Sequence, residues 1–217
     1  MKKTVIINRA VPGSGKTTIT NSIVYELKKD NIKVPIHSTD EYFMVKEKYV
    51  FDIDKLGNYH EENLDEFKKS IENSTDVIIC DNTNIAPWQT EPYTKLARKH
   101  GYQIIVLTLD PRELEKHVVS QKVTLEKPDA HAVDEEILKR MIVEYNLFDD
   151  LLNPKIIIDP QKHIHYEWDN EEMETVKIGV AKHFDLDYLI RILPNEYQDA
   201  QKKIGQIILS LIKEEIQ

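Results

Sequence analysis

An apolar run, Thr4-Val5-Ile6-Ile7, leads into Pro12-Gly13-Ser14-Gly15-Lys16-Thr17-Thr18. A strand, a glycine turn and then a helix aim successive backbone N–H groups at one point, and the positive end of the helix adds to their pull on phosphate oxygens. The spacing therefore predicts a triphosphate cradle made by Pro12, Gly13, Ser14, Gly15, Lys16, Thr17 and Thr18. In it Lys16 reaches the β- and γ-phosphates as a point charge, and Thr17 offers a hydroxyl to a magnesium ion. The pattern G-x-x-x-x-G-K-[ST] has glycine where this chain has Ala10. A methyl group costs little there if φ is negative, and on the order of 1 kcal/mol if φ is positive.

The same strand-then-helix order recurs along the 217 residues. Strand-like segments at Thr4–Asn8, Lys33–His37, Val77–Cys80, Gln103–Leu109 and Lys155–Ile158 alternate with helical patterns at Lys16–Lys29, Glu62–Glu72 and Trp88–His100. Such alternation predicts an α/β fold with a five-stranded parallel sheet, helices on both faces, and ligands gathered at the C-terminal edge of the strands. After Asp110-Pro111 a charged helix, a loop at Lys127–His131 and a helix from Asp134 to Asp149 form an expected lid, about residues 112–149. Asp134 is the expected N-cap of the second lid helix. Residues 1–160 read as the core domain, with 161–217 an extension packed on it, helical at Asp187–Leu193 and Glu196–Ile216. No chemistry is visible in that extension.

A net charge of −9 weighs against a protein that coats nucleic acid through its backbone, since such proteins are basic. A short nucleic-acid end, a mononucleotide or a small metabolite suits the acidity better. No apolar stretch approaches the roughly 18 residues of a membrane span, and the Met-Lys-Lys start runs into the motif rather than a leader, so the expected location is cytoplasmic. The one cysteine, Cys80, reads as a buried strand residue. The histidines scatter without the spacing of a zinc site.

Two carboxylates follow strands. Asp40, after the second strand, either serves as the general base that takes the proton of an acceptor hydroxyl or caps the next helix. Asp81, at the tip of Val77–Cys80, has the position of a magnesium-binding carboxylate, and Asp81, Asn82, Thr83 and Asn84 together with Asp40 are candidate acceptor ligands. The lid must offset charge on the transferring group, and Lys127, with Lys122 beside it, is the best candidate catalytic cation. Trp88, Tyr42, Phe43, Tyr49 and Tyr59 are available to stack on a base or to fill core.

With Arg9-Ala10-Val11-Pro12-Gly13-Ser14-Gly15-Lys16-Thr17, Ser38-Thr39-Asp40-Glu41-Tyr42-Phe43 and Asp81-Asn82-Thr83-Asn84, the chain resembles the P-loop polynucleotide kinase family, and within it the kinase domain of NEDD4-binding protein 2 and its bacterial relatives. The resemblance, which reaches about Asp159, implies a P-loop NTPase three-layer α/β/α fold with a helical lid. It implies ATP and Mg2+ at the first motif and a 5′-hydroxyl activated by Asp40. Pro128 stands where the family's lid carries an arginine, and Phe43 where phage-type enzymes carry an acceptor-binding one. Those lost cations keep two other readings open. One is a small-molecule kinase acting on a nucleoside, sugar or antibiotic, and the other a non-catalytic ATP-binding switch or toxin-antitoxin partner.

Overall fold

The computed structural model describes residues 1–46, 48–124, 133–149, 156–158, 165–166 and 184–214. In chain order the elements are β1 (Thr4–Ala10), α1 (Lys16–Lys29), β2 (Ile36–His37), a short 3-10 turn (Thr39–Phe43), β3 (Met44–Val45), β4 (Lys48–Tyr49), α2 (Ile53–Glu72), β5 (Val77–Cys80), α3 (Pro87–Lys99), β6 (Gln103–Leu109), α4 (Leu114–Thr124), α5 (Glu135–Asp149), β7 (Ile156–Ile158), β8 (His165–Tyr166), β9 (Tyr188–Ile192) and α6 (Tyr197–Lys213).

The strands lie in the order β2-β5-β1-β6-β9-β7-β8. The first five in that order are mutually parallel, so a five-stranded parallel core exists as expected, extended by parallel β7 and antiparallel β8. All seven residues of β1 are buried, the mark of a central parallel strand covered on both faces. Alternate side chains point to opposite layers. Ile6, Ile105, Leu107 and Ile190 pack with Ile19, Ile23 and Leu27 of α1 and Ile204, Ile208 and Leu211 of α6. On the other face Val5, Ile7, Ile78 and Val106 meet Phe67 and Ile71 of α2 and Tyr93 and Ala97 of α3. Each fully buried Ile or Leu contributes roughly 1.5–3 kcal/mol, so these two layers carry most of the stability. The architecture is a three-layer α/β/α sandwich.

Three local expectations are corrected. Residues 187–193, expected to be helical, contain β9, which enters the sheet between β6 and β7. The run Tyr188-Leu189-Ile190-Arg191-Ile192 is strand-length and closely followed by Pro194, and length rather than periodicity decides such a case. The strand expected at Lys33–His37 pairs only at Ile36 and His37, because Pro35 has no N–H and joins the ladder through its carbonyl, which accepts from Ile79 N at 3.0 Å. Helix α2 starts at Ile53 rather than near Glu62, with the Asp52 side chain accepting from Asp54 N as its N-cap. In α5 the expected cap is present, Asp134 accepting from Glu136 N at 2.9 Å.

Arg9 ties the lid side to the sheet. Its guanidinium, fully buried at 0% exposure, donates to Ile85 O, Thr108 Oγ1, Asp149 Oδ1 and Tyr145 O, and lies 3.7 Å from the Tyr145 ring centroid. Arg191 of β9 bridges Asp149 and Asp110. Two arginines and two aspartates thus close a neutral network that fixes the end of α5 onto β1, the strand that delivers the glycine turn. Burial pushes the Arg9 pKa down, against the pull of Tyr145, Asp149 and Asp110. Burial works against the Arg191 charge too, but its bonds to Asp149 and the fields of Asp110 and Asp149 outweigh it and hold that pKa above the usual range.

Candidate active site

The glycine turn leaves β1 at Ala10 and enters α1 at Lys16. Ala10 is buried in extended backbone and its N–H donates to Thr83 O at 2.9 Å, so the missing glycine costs nothing. The turn bends at Gly13 (φ 77°) and Gly15 (φ 90°), where L side chains are strained. Gly15 is also sterically closed, since a Cβ there would lie 2.3 Å from the Tyr197 hydroxyl. That hydroxyl donates to Gly15 O at 2.9 Å. Ser14 is buried, and its hydroxyl has no partner among the described residues. Thr17 and Thr18 are exposed in the first turn of α1.

Asp81 meets this cradle from the tip of β5. Lys16 Nζ donates to Asp81 Oδ1 at 2.9 Å and to its carbonyl at 2.8 Å. The same Oδ1 accepts from Asn8 Nδ2 at 2.6 Å. The carboxylate therefore parks the lysine beside the loop. Left-handed glycines, an unpartnered buried serine hydroxyl, an ammonium and a hydroxyl at a helix N-terminus form a donor set that fits a triphosphate with Mg2+.

Asp40 rides on the 3-10 turn, which neighbouring elements pin in place. Asn82 Oδ1 accepts from Thr39 N at 2.9 Å, and Thr39 Oγ1 lies 2.9 Å from His60 Nδ1 on α2. Tyr49 donates to Asp40 Oδ1 at 3.2 Å. Burial first, then Asp40, pushes the Tyr49 pKa up, which keeps the phenol a neutral donor. Burial lowers the pKa of His60, opposed by Asp40, which favours the neutral imidazole. Asp40 is exposed and is not a helix N-cap; the residue preceding the turn is Ser38.

One cleft of about 810 Å³ is lined by both Asp40 and the loop Gly13–Thr18. Thr83 lies on its wall as well, whereas Asp81, Asn82 and Asn84 do not. Buried Asn84 donates to Asn8 O at 2.7 Å, so its role is to join the β5 loop to β1. Lys127, Pro128 and His131 lie outside the described residues, as does the side chain of Lys122. On the lid side, Arg112 lines the cleft and donates to Gly13 O. His117 of α4 is fully buried against the turn and accepts from Arg112 N at 2.8 Å. Its pKa is lowered by burial and then by Arg112, against the Pro12 and Gly13 backbone.

The far wall comes from the extension, where Leu193, Pro194, Asn195, Tyr197 and Gln198 line the cleft. No motif marked these residues, because their neighbours in sequence form an apolar stripe that speaks only of packing. Phe43, expected either to stack on a base or to fill core, is core, buried at 1% exposure beneath Phe51 and Tyr59.

The profile of the family described as chromatin associated protein KTI12 matches residues 4–167. The chain belongs to the KTI12 family. Human NEDD4-binding protein 2 is 33% identical over 144 residues, 66% of this chain, and the chain spans only 8% of that relative's length. Two solved structures share the fold. Kti12 of Chaetomium thermophilum, in complex with ADP-AlF3, superposes with a TM-score of 0.56 at 11% identity, covering 96% of this chain and 98% of that one. A putative kinase from Chloroflexus aurantiacus superposes at 0.59 and 11% identity, covering 97% and 98%. The likeness to NEDD4-binding protein 2 expected from the motifs is borne out, and this KTI12-family chain has the P-loop, kinase-like fold. No helix among the described residues is long and apolar enough to cross a membrane.

Proposed function

We propose that this KTI12-family chain is an ATP-dependent phosphotransferase whose preferred acceptor is a 5′-hydroxyl nucleic-acid end. The observation that carries the reading is that a single cleft is lined by the glycine turn and by the Asp40 carboxylate. The relative bound to ADP-AlF3, in which the aluminium fluoride stands in for a phosphoryl group, supports a nucleotide at this turn.

Backbone N–H groups of Gly13 to Thr17 hold the β- and γ-phosphates, and Lys16 exchanges Asp81 for phosphate oxygens. Thr17 and Asp81 would hold Mg2+, which when bound neutralises charge on those oxygens. Tyr49 steers Asp40, which takes the proton of the acceptor hydroxyl as the new O–Pγ bond forms and the Pβ–O–Pγ bridge breaks, leaving ADP. Thr83, with the Asn82 and Asn84 loop behind it, borders the acceptor side. Lys127 remains the proposed lid cation, and Arg112 is a second cation already at the cleft. The nucleoside end of ATP lies toward Arg112 and Pro194–Gln198, opposite Asp40.

One observation favours a small-molecule acceptor instead: Phe43, which stands where phage-type enzymes carry an acceptor-binding arginine, is core. Transfer from γ-labelled ATP, offered with 5′-hydroxyl oligonucleotides and with nucleosides, sugars and aminoglycosides, decides between them. Label on oligonucleotides supports the first reading, and label confined to metabolites replaces it. Tight ATP binding with no labelled acceptor replaces both with a nucleotide-binding switch.

A further inference from the structure

Beside Asp40 the surface turns apolar. Val45, Val50, Phe51 and Ile53 are 53%, 53%, 55% and 67% exposed. Single exposed apolar residues are ordinary, but four large ones within nine positions form a patch that calls for an occupant. They sit on and just after the hairpin of β3 and β4, which Val50 N prolongs by donating to Phe43 O at 2.9 Å.

The patch has a firm floor. Buried Phe43 holds the Phe51 ring at 5.1 Å between centroids, the Tyr59 ring at 4.8 Å and the Tyr49 ring at 5.7 Å, and Tyr42 stacks on Tyr59 at 5.6 Å. Phe51 is therefore held on one side and open on the other. Tyr49 belongs both to this floor and to the transfer site, because its hydroxyl is the donor to Asp40. Ledge and carboxylate are one continuous structure.

We infer that this ledge seats the unpaired base of the acceptor's 5′-terminal nucleotide, with Phe51 as the stacking side chain. The inference rests on the phosphotransferase reading above and deepens it. The charges around the ledge argue for a neutral planar occupant. Asp40, Glu41, Glu47, Asp52 and Asp54 outnumber Lys46, Lys48 and Lys55 in this stretch of sequence, and Lys55 already lies 3.4 Å from Asp52, so no basic track for a sugar-phosphate backbone runs here. An aromatic face stacks on any base whose own face is uncovered, whereas a base paired at a recessed 5′ end is covered by the overhanging strand.

The test is transfer from γ-labelled ATP to a single-stranded 5′-hydroxyl oligonucleotide, the same strand with an abasic 5′-terminal nucleotide, a duplex with a recessed 5′ end and a free nucleoside. Wild type is expected to show a KM for the intact strand at least about ten-fold below those for the abasic strand and the duplex. Phe51→Ala raises the intact-strand KM by a similar factor and abolishes the abasic difference, while kcat and ATP affinity hold. Phe51→Trp restores the wild-type KM, which separates stacking from folding. An unchanged KM in Phe51→Ala, or equal use of the abasic strand by wild type, overturns the ledge while leaving phosphotransfer intact. A free nucleoside used as well as the strand overturns the strand end as source. If wild type labels no oligonucleotide, the acceptor reading itself fails.

Discussion

Substituting Gly15 by alanine probes the cradle at its tightest point. The residue has φ 90° and ψ 19°, a left-handed conformation that costs an alanine roughly 1–2 kcal/mol. The new Cβ would also lie 2.3, 2.5 and 2.6 Å from the Tyr197 hydroxyl oxygen, Cζ and Cε2. Overlap of this kind costs about 1–3 kcal/mol once neighbours shift. Because that φ sets the direction of the N–H groups, a turn that moves to relieve the overlap loses its aim at phosphate. A combined penalty of about 3 kcal/mol corresponds to roughly a 100-fold weaker nucleotide. Calorimetric titration with ATP and Mg2+ of wild type, Gly15→Ala, Tyr197→Ala and the double variant separates the two contributions. In the double variant the steric share is gone and only the backbone share remains, so it should bind about ten-fold or more tighter than Gly15→Ala alone. The reasoning fails if Gly15→Ala binds within about three-fold of wild type, or if removing the tyrosine ring gives no recovery.

Other outcomes follow from the same geometry. Arg9→Ala takes a buried donor from the carbonyls of Ile85 and Tyr145 and leaves Asp149 with Arg191 alone, a loss of about 2–4 kcal/mol and a fall in Tm of roughly 4–16 °C by calorimetry; a fall under about 2 °C contradicts the network. His37, His60 and His117 have pKa values lowered from 6.5, chiefly by burial. The unfolded chain therefore takes up protons that the folded chain refuses, and stability drops as pH falls through about 6.5 and levels off beneath the folded pKa values. Melting curves from pH 7.5 to 5.5 should show this decline, shallower in His117→Gln, and stability that rises on acidification refutes it. Burial pushes the Cys80 thiol up to about 12, so an aromatic disulfide reagent at pH 8 should label it only after denaturation. Rapid labelling of the native protein would contradict its place in the core.

The parts of the site legible in the amino-acid order were those that follow a strand within a few residues. Gly13–Thr18, Asp40 and Asp81 announce themselves because a strand tip and the next polar residues share one edge of the sheet. Tyr197 and Arg9 were hidden for the opposite reason. Tyr197 meets Gly15 across a separation of 182 residues, and Arg9 meets Asp149 across 140, and no periodicity encodes such a meeting. Asn82 and Asn84 looked like ligands because short polar side chains after a strand tip serve equally to bind substrate and to fasten loops. Their bonds to Thr39 N and Asn8 O show the fastening. Phe51 was overlooked in favour of Phe43, since sequence does not reveal which of two neighbouring rings lies uppermost.

Single-turnover transfer from γ-labelled ATP to a 5′-hydroxyl oligonucleotide, followed in wild type and Asp40→Asn at saturating ATP, bears most directly on the proposal that the cradle presents its terminal phosphoryl group to an acceptor poised by Asp40. The expected result is a rate reduced by roughly 10² or more in the variant with ATP affinity unchanged. Equal rates in the two proteins would contradict it.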